Sequence, residues 1–252
     1  FGIYFDQIKK TLELAKKFKL KINGIHSHIG TGIFSAEPML EAMEMILSIA
    51  KEFPDLEFVD FGGGFGIPYN PGQLPLDMKD LSKKMTDRFK KFVTHYGHHL
   101  QMKIEPGRLI VGPSGILLST VTNITDTPKY KFVGVDTGFN HLIRPTMYGS
   151  YHKIINASNN LSIKKDVVVV GNICESGDVL SRSGENIMRS IPSPKVGEYL
   201  AFLDVGAYGY SMSSQYNLRP RPAEVLVNDG QSRLIRREEC FEDLIQCTRD
   251  IS

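Results

Sequence analysis

LEFVDFGGGFG, residues 56–66, reads as a short apolar strand that runs directly into glycines. Working outward, the flanks alternate. Upstream, residues 36–53 carry Met39, Leu40, Met43, Ile46 and Leu47 at helical spacing, with Glu37 and Pro38 suited to a first turn. Before that helix, KINGIHSHIG (21–30) is a second short strand ending in a polar, glycine-flanked mouth, and residues 6–19 repeat the helical period through Ile8, Leu12, Ala15 and Phe18. Downstream, a Pro/Gly-rich loop (67–75) leads to a helix at about 77–96 and then to the strand LQMKIEPGR (100–108). The first part of the chain is therefore helix, strand, helix, strand, helix, strand, and each strand carries its polar residues at its C-terminal end. In a parallel α/β barrel those ends are where active sites are built.

After Arg108 the pattern changes. GILLSTVTNI, KYKFVGVDT, DVVVVGNIC, EYLAFLDVG, AEVLVNDG and QSRLIRREE are β-rich, and helices nearly vanish until ECFEDLIQC (239–247). The expected fold class is α/β plus all-β. Residues 1–111 would be the C-terminal part of a (β/α)8 TIM barrel, its last three strands. Residues 112–252 would form a β-sandwich or β-barrel domain. Three strand–helix steps are fewer than half of eight, so the remainder of such a barrel is expected upstream. The start at Phe1 in place of Met agrees with a piece of a longer protein.

Bulk properties narrow the function. Apolar residues make up 41% and charged residues 23%, as in an ordinary globular protein. The net charge of +2 is not clustered, which argues against nucleic acid as a partner. No stretch reaches the ~20 apolar residues of a membrane span. Three cysteines, Cys174, Cys240 and Cys247, make no disulfide framework, and no signal-peptide pattern opens the chain; a reducing, cytoplasmic setting is expected.

Five words carry chemistry. Gly62–Gly64 can bring backbone N–H groups onto an anion, or form a flexible loop. In EPGR, Glu105 offers a carboxylate for a protonated pyridine nitrogen and Arg108 a planar fork for an anion; a surface ion pair is the plain alternative. His26 and His28 share one strand face, and one of them can stack on a cofactor ring; His28 is the better candidate. A metal at this pair lacks a third evident ligand, so no metal is expected. In CESGD (174–178), Cys174 leaves an apolar strand for a polar loop, a setting for an acid or nucleophile as well as for a buried structural thiol. GAYG (206–209) sets Tyr208 among small residues, and RPTMY (144–148) supplies Arg144 and Tyr148 as a second anion clamp.

The order and spacing of GIHSHIG, FVDFGGGFG, EPGR, CESGD and GAYG resemble those of the pyridoxal phosphate (PLP)-dependent decarboxylases of the alanine-racemase-like fold, over essentially the whole chain. Phe1-Gly2 resembles the end of that family's Lys-Phe-Gly word. The resemblance implies PLP as cofactor, with His28 on the ring face and Glu105 at the pyridine nitrogen. It implies Thr31, Gly63, Gly64 and the Glu105-Pro106-Gly107-Arg108 backbone at the cofactor phosphate, and Tyr208 near cofactor and substrate. It further implies Cys174 as proton donor, Glu175 at the distal ammonium, and Arg108, Arg144 and Tyr148 at the distal carboxylate. Cys174 and Glu175 would reach into the partner's site in a homodimer with shared active sites. Within the family the words are most similar to members acting on meso-2,6-diaminopimelate, giving L-lysine and CO2. The alternatives are a decarboxylase of ornithine, arginine or a carboxylated polyamine, or a non-catalytic binding relative. No lysine here stands where that family's Schiff-base lysine does, so an upstream barrel segment is expected to supply it, and the chain alone is expected to be inactive.

Overall fold

A computed structural model describes residues 2–159, 161 and 163–248. The chain divides into two compact units, Phe1–Pro68 with Gly72–Ile110, and Tyr69–Pro71 with Val111–Ser252. Phe1, the first residue of the Phe1-Gly2 word, lies outside the described residues.

The first unit alternates as its apolar spacing dictates: α1 (Ile8–Lys17), β1 (Gly24–His26), α2 (Ala36–Ala50), β2 (Phe58–Asp60), α3 (Met78–Tyr96), β3 (Gln101–Lys103) and a short α4 (Gly107–Val111). The strands form one parallel sheet in the order β1-β2-β3, with His26 opposite Asp60 and Asp60 opposite Lys103. Met39, Leu40, Met43, Ile46, Leu47 and Ala50 line one face of α2 at i, i+3/i+4 spacing, and all are buried. They share a core with Val59 of β2 and with Leu81, Met85 and Phe89 of α3. Asp77 caps α3 by accepting the Asp80 N–H at 2.9 Å, and Gly97 ends it at φ 98°, a left-handed conformation that glycine adopts without strain. The strands are three residues each, shorter than the apolar runs suggested, because the polar mouth begins immediately after them. Helix α4, which begins within EPGR at Gly107, was not evident from the sequence pattern.

The second unit is a sheet domain. Its strands are β4 (Leu117–Asp126), β5 (Lys131–Val135), β6 (Ile154–Asn156), β7 (Lys164–Val170), β8 (Arg189–Pro192), β9 (Tyr199–Phe202), β10 (Glu224–Asn228) and β11 (Gln231–Arg236). Six of them form one sheet in the order β6-β9-β4-β5-β7-β8. Its two end strands, β6 and β8, also lie against each other, so the sheet nearly closes. Pairing is antiparallel except for β5 with β7. Val121, Val133, Val135, Val167, Val169, Leu200 and Phe202 fill its interior at 0–1% exposure. β10 and β11 make a separate hairpin. Two short helices, α5 (Arg144–Tyr148) and α6 (Phe241–Ile245), complete the unit. β6 had no counterpart among the strands read from sequence; it is only three residues long and its run IIN is too short to register.

Candidate active site

In the first unit the three strand-end loops are drawn together backbone to backbone. A Cβ on Gly63 would run into the Glu105 carbonyl oxygen, and one on Gly64, at φ 97°, into the Gly30 carbonyl oxygen. Only glycine allows this approach. The Glu105 N–H donates to the Gly62 carbonyl at 2.8 Å, and the Gly63 N–H donates to Nδ1 of His28 at 3.2 Å. Because Nδ1 accepts, the His28 ring carries its proton on Nε2. Three of the words thus form one mouth: the imidazole of His28, the triple glycine, and the half-exposed carboxylate of Glu105. Thr31, Pro106, Gly107 and Arg108 lie on the same loops, the last two in α4.

That mouth suits PLP. Gly30 and Gly107, on the same loops, have nothing within 4 Å of where a Cβ would stand, so open space lies beside them. The donor set also matches: an imidazole for a ring face and a carboxylate for a ring nitrogen.

A neighbouring arrangement was not foreseen. Nε2 of His26 lies 3.4 Å from Oε2 of Glu105, and ligand atoms of His26, Asp60 and Glu105 all fall within 4.8 Å of one another. Asp60 also accepts the Gly62 N–H at 2.9 Å, so its side chain starts the glycine turn. The sequence signal was the Asp two residues before the first glycine of the turn, and the histidine that closes β1 in H-x-H.

In the second unit Cys174 is free and exposed, at the mouth of the loop after β7, and Glu175 beside it is exposed. Oε1 of Glu175 accepts the Gly177 N–H at 3.2 Å. Beneath them lies Asp178, 4% exposed, which sequence reading quoted but gave no role. Its two oxygens accept the N–H groups of Phe139 (2.7 Å) and Ile173 (2.9 Å), the latter just before Cys174. Burial pushes its pKa up from the usual carboxylate value, against the pull of those two N–H donors. Gly138 and Gly171 have no room for a Cβ beside that carboxylate. His141 braces the same segment: it faces the Pro220 carbonyl through Nε2 (2.9 Å) and the Thr137 hydroxyl through Nδ1 (2.8 Å), and burial lowers its pKa.

The hydroxyl of Thr146 in α5 donates to the Gly177 carbonyl at 2.8 Å, tying the RPTMY helix to the cysteine loop. Arg144 and Tyr148 flank that tie differently. Tyr148 is exposed, whereas Arg144 is buried, with Nη1 3.0 Å from Nε2 of His152 and its guanidinium 4.8 Å from the centre of the Tyr69 ring. His152 donates from Nδ1 to the Leu203 carbonyl at 2.9 Å, so its Nε2 carries the lone pair that accepts from Arg144. Tyr208 is half-exposed at φ 60°, a left-handed conformation unusual for a bulky residue and held between Gly206 and Gly209, neither of which has room for a Cβ. Cys240 and Cys247 are also free and exposed, and Cys240 Sγ donates to Asp243 at 3.2 Å at the start of α6.

The family model described as "Pyridoxal-dependent decarboxylase, C-terminal sheet domain" matches residues 18–206. The chain belongs to the pyridoxal-dependent decarboxylase family. It is similar to the diaminopimelate decarboxylase of Methanothermobacter thermautotrophicus, 43% identical over 98% of this chain and 58% of that protein. A crystal structure of diaminopimelate decarboxylase superposes with a TM-score of 0.90 at 38% identity, covering 97% of this chain and 60% of that one. Another, from M. jannaschii in complex with L-lysine, gives a TM-score of 0.87 at 34% identity, covering 100% and 58%. The chain therefore spans about three-fifths of the length of these relatives. Among the described residues, no helix is long and apolar enough to cross a membrane.

Proposed function

We propose that this chain is part of a PLP-dependent carbon–carbon lyase that decarboxylates meso-2,6-diaminopimelate to L-lysine and CO2. One observation carries the reading: proteins named for that reaction are similar to the chain along almost its full length, and the loops bearing its site words meet at Gly63 and Gly64. The structure with L-lysine bound, the product of that reaction, supports the choice of substrate.

PLP, when bound, supplies the electron sink for the reaction. His28 would stack on its ring and Glu105 would face its nitrogen. Thr31, Gly63, Gly64 and the backbone of Glu105–Arg108 would hold its phosphate. Cys174 would deliver a proton to the substrate carbon that loses CO2. Glu175 would hold the distal ammonium, with Arg108, Arg144 and Tyr148 around the distal carboxylate and Tyr208 beside cofactor and substrate. Such two-ended binding fixes the scissile bond relative to the ring, a positioning effect of up to ~7–11 kcal/mol.

The working enzyme on this reading is a cytoplasmic homodimer in which Cys174 and Glu175 serve the partner's site. Residues 1–111 are the last three strands of a (β/α)8 barrel and residues 112–252 its β domain. A further barrel segment supplies the Schiff-base lysine. Two features support that segment. Among the described residues β1 pairs with β2 alone, leaving one edge open, and an apolar groove of about 650 Å3 lined by Ile3, Phe5, Ile25, Met45 and Ile49 runs alongside. Three free thiols agree with a reducing compartment.

The test is a substrate panel on the protein carrying this chain together with its lysine-bearing segment. L-Lysine and CO2 from meso-2,6-diaminopimelate are expected. Preferential turnover of ornithine, arginine or a carboxylated polyamine would replace the substrate, and no turnover of any would make the protein a non-catalytic relative.

A further inference from the structure

We propose that His26, with Asp60, is a positioning residue that aims Glu105 at the cofactor's ring nitrogen; the inference rests on the cofactor reading above. His26, Asp60 and Lys103 stand side by side on three parallel strands, and Glu105 follows two residues after Lys103, in the loop that leaves β3. The backbone of Glu105 is fixed by its N–H bond to Gly62, but the side chain beyond it has three free torsions. His26 Nε2, 3.4 Å from Oε2, restrains one carboxylate oxygen and leaves the other for a ring nitrogen. Lys103, the cation in the row, places its ammonium 3.6 Å from the centre of the Phe58 ring instead.

Asp60 completes the arrangement. Its carboxylate lies in the same 4.8 Å cluster and accepts the Gly62 N–H, so the turn that holds Glu105 and the imidazole that aims it are tied to one residue. Two carboxylates this close repel, and an imidazole N–H beside both offsets that repulsion. His28, by contrast, is committed to the Gly63 N–H through Nδ1. The two histidines of GIHSHIG therefore have different tasks, His28 toward the ring face and His26 toward Glu105.

The experiment is a double-mutant cycle on the full chain, read by fluorescence titration with pyridoxamine 5'-phosphate, which needs no lysine to bind. Glu105→Gln and His26→Ala are each expected to weaken binding about tenfold and to shift the bound probe's emission in the same direction. The double variant should be no weaker than Glu105→Gln alone, since coupled residues are non-additive. His26→Gln, which keeps an N–H donor near the Nε2 position, should recover part of the affinity, and it carries the test if His26→Ala fails to fold. An unchanged affinity in His26→Ala, or losses that simply add, overturns the inference while leaving the cofactor reading intact. No saturable binding by the wild-type chain, or no effect of Glu105→Gln, overturns the cofactor reading and the inference with it.

Discussion

The α/β unit and the sheet unit hold their polar residues in opposite ways. In the first, His28 and Glu105 are set by backbone geometry: glycine-permitted contacts between loops, with the side chains left half-exposed in the mouth. In the second, the exposed Cys174 and Glu175 ride on a loop held by the buried carboxylate of Asp178, with the half-buried His141 bracing the same segment and the buried Arg144 and His152 paired in the same unit. The lesson is that substitutions at the mouth residues should cost function, whereas substitutions in the sheet unit's frame should cost stability first.

The largest effect separates those two consequences. In the protein that carries this chain together with its lysine-bearing segment, Cys174→Ala should lower lysine formation by about 10²–10⁴-fold, the span for a lost proton donor, with the melting temperature unchanged because the thiol is exposed. Steady-state turnover beside a thermal melt checks both halves. Asp178→Ala should do the reverse. It strands the Phe139 and Ile173 N–H groups in a buried site and should destabilise the protein by ~2–4 kcal/mol, measured by urea unfolding. A stability loss within error would mean that the frame is not what holds the cysteine loop.

Gly63→Ala tests the first unit's device. The added methyl meets the Glu105 carbonyl, so the loops must part; a loss of ~1–3 kcal/mol is expected, along with weaker PLP binding. Unchanged cofactor affinity would contradict the tight mouth.

Legibility from sequence follows the same division. Gly63, Gly64, His28 and Glu105 were readable because glycines and strand ends are local signals that keep their meaning before folding. The α1–β3 alternation was readable for the same reason, from apolar periodicity. Asp178, His141 and His152 were not, because a buried carboxylate or imidazole looks like any polar residue until folding encloses it. His26 stood in plain view within H-x-H, but its neighbour Glu105 is 79 residues on, and only the parallel register brings them together. Arg144 was readable as a cation but not as a buried one.

A smaller effect concerns pH. Arg221 pairs with Glu239 through its guanidinium, 2.7 Å from Nε to Oε1, and lowers the Glu239 pKa to about 2. A carboxylate depressed below its unfolded value of about 4.3 stabilises the fold above that value and loses the contribution as pH falls toward 2. Glu239→Gln should therefore cost about 1 kcal/mol at pH 7, and the gap from wild type should close between about pH 4 and pH 2 in paired denaturation curves. The smallest effect is a control: breaking the exposed Lys21–Glu57 pair with Lys21→Ala should leave the melting temperature unchanged within error.

The central claim is that the three strand-end loops of the α/β unit hold PLP. Its most direct test is the 300–500 nm difference spectrum on titrating PLP into the chain and into Glu105→Ala. A saturable protein-induced band in the wild type that weakens and shifts in Glu105→Ala is the predicted result. Identical spectra for the two, or none beyond free PLP, would contradict it.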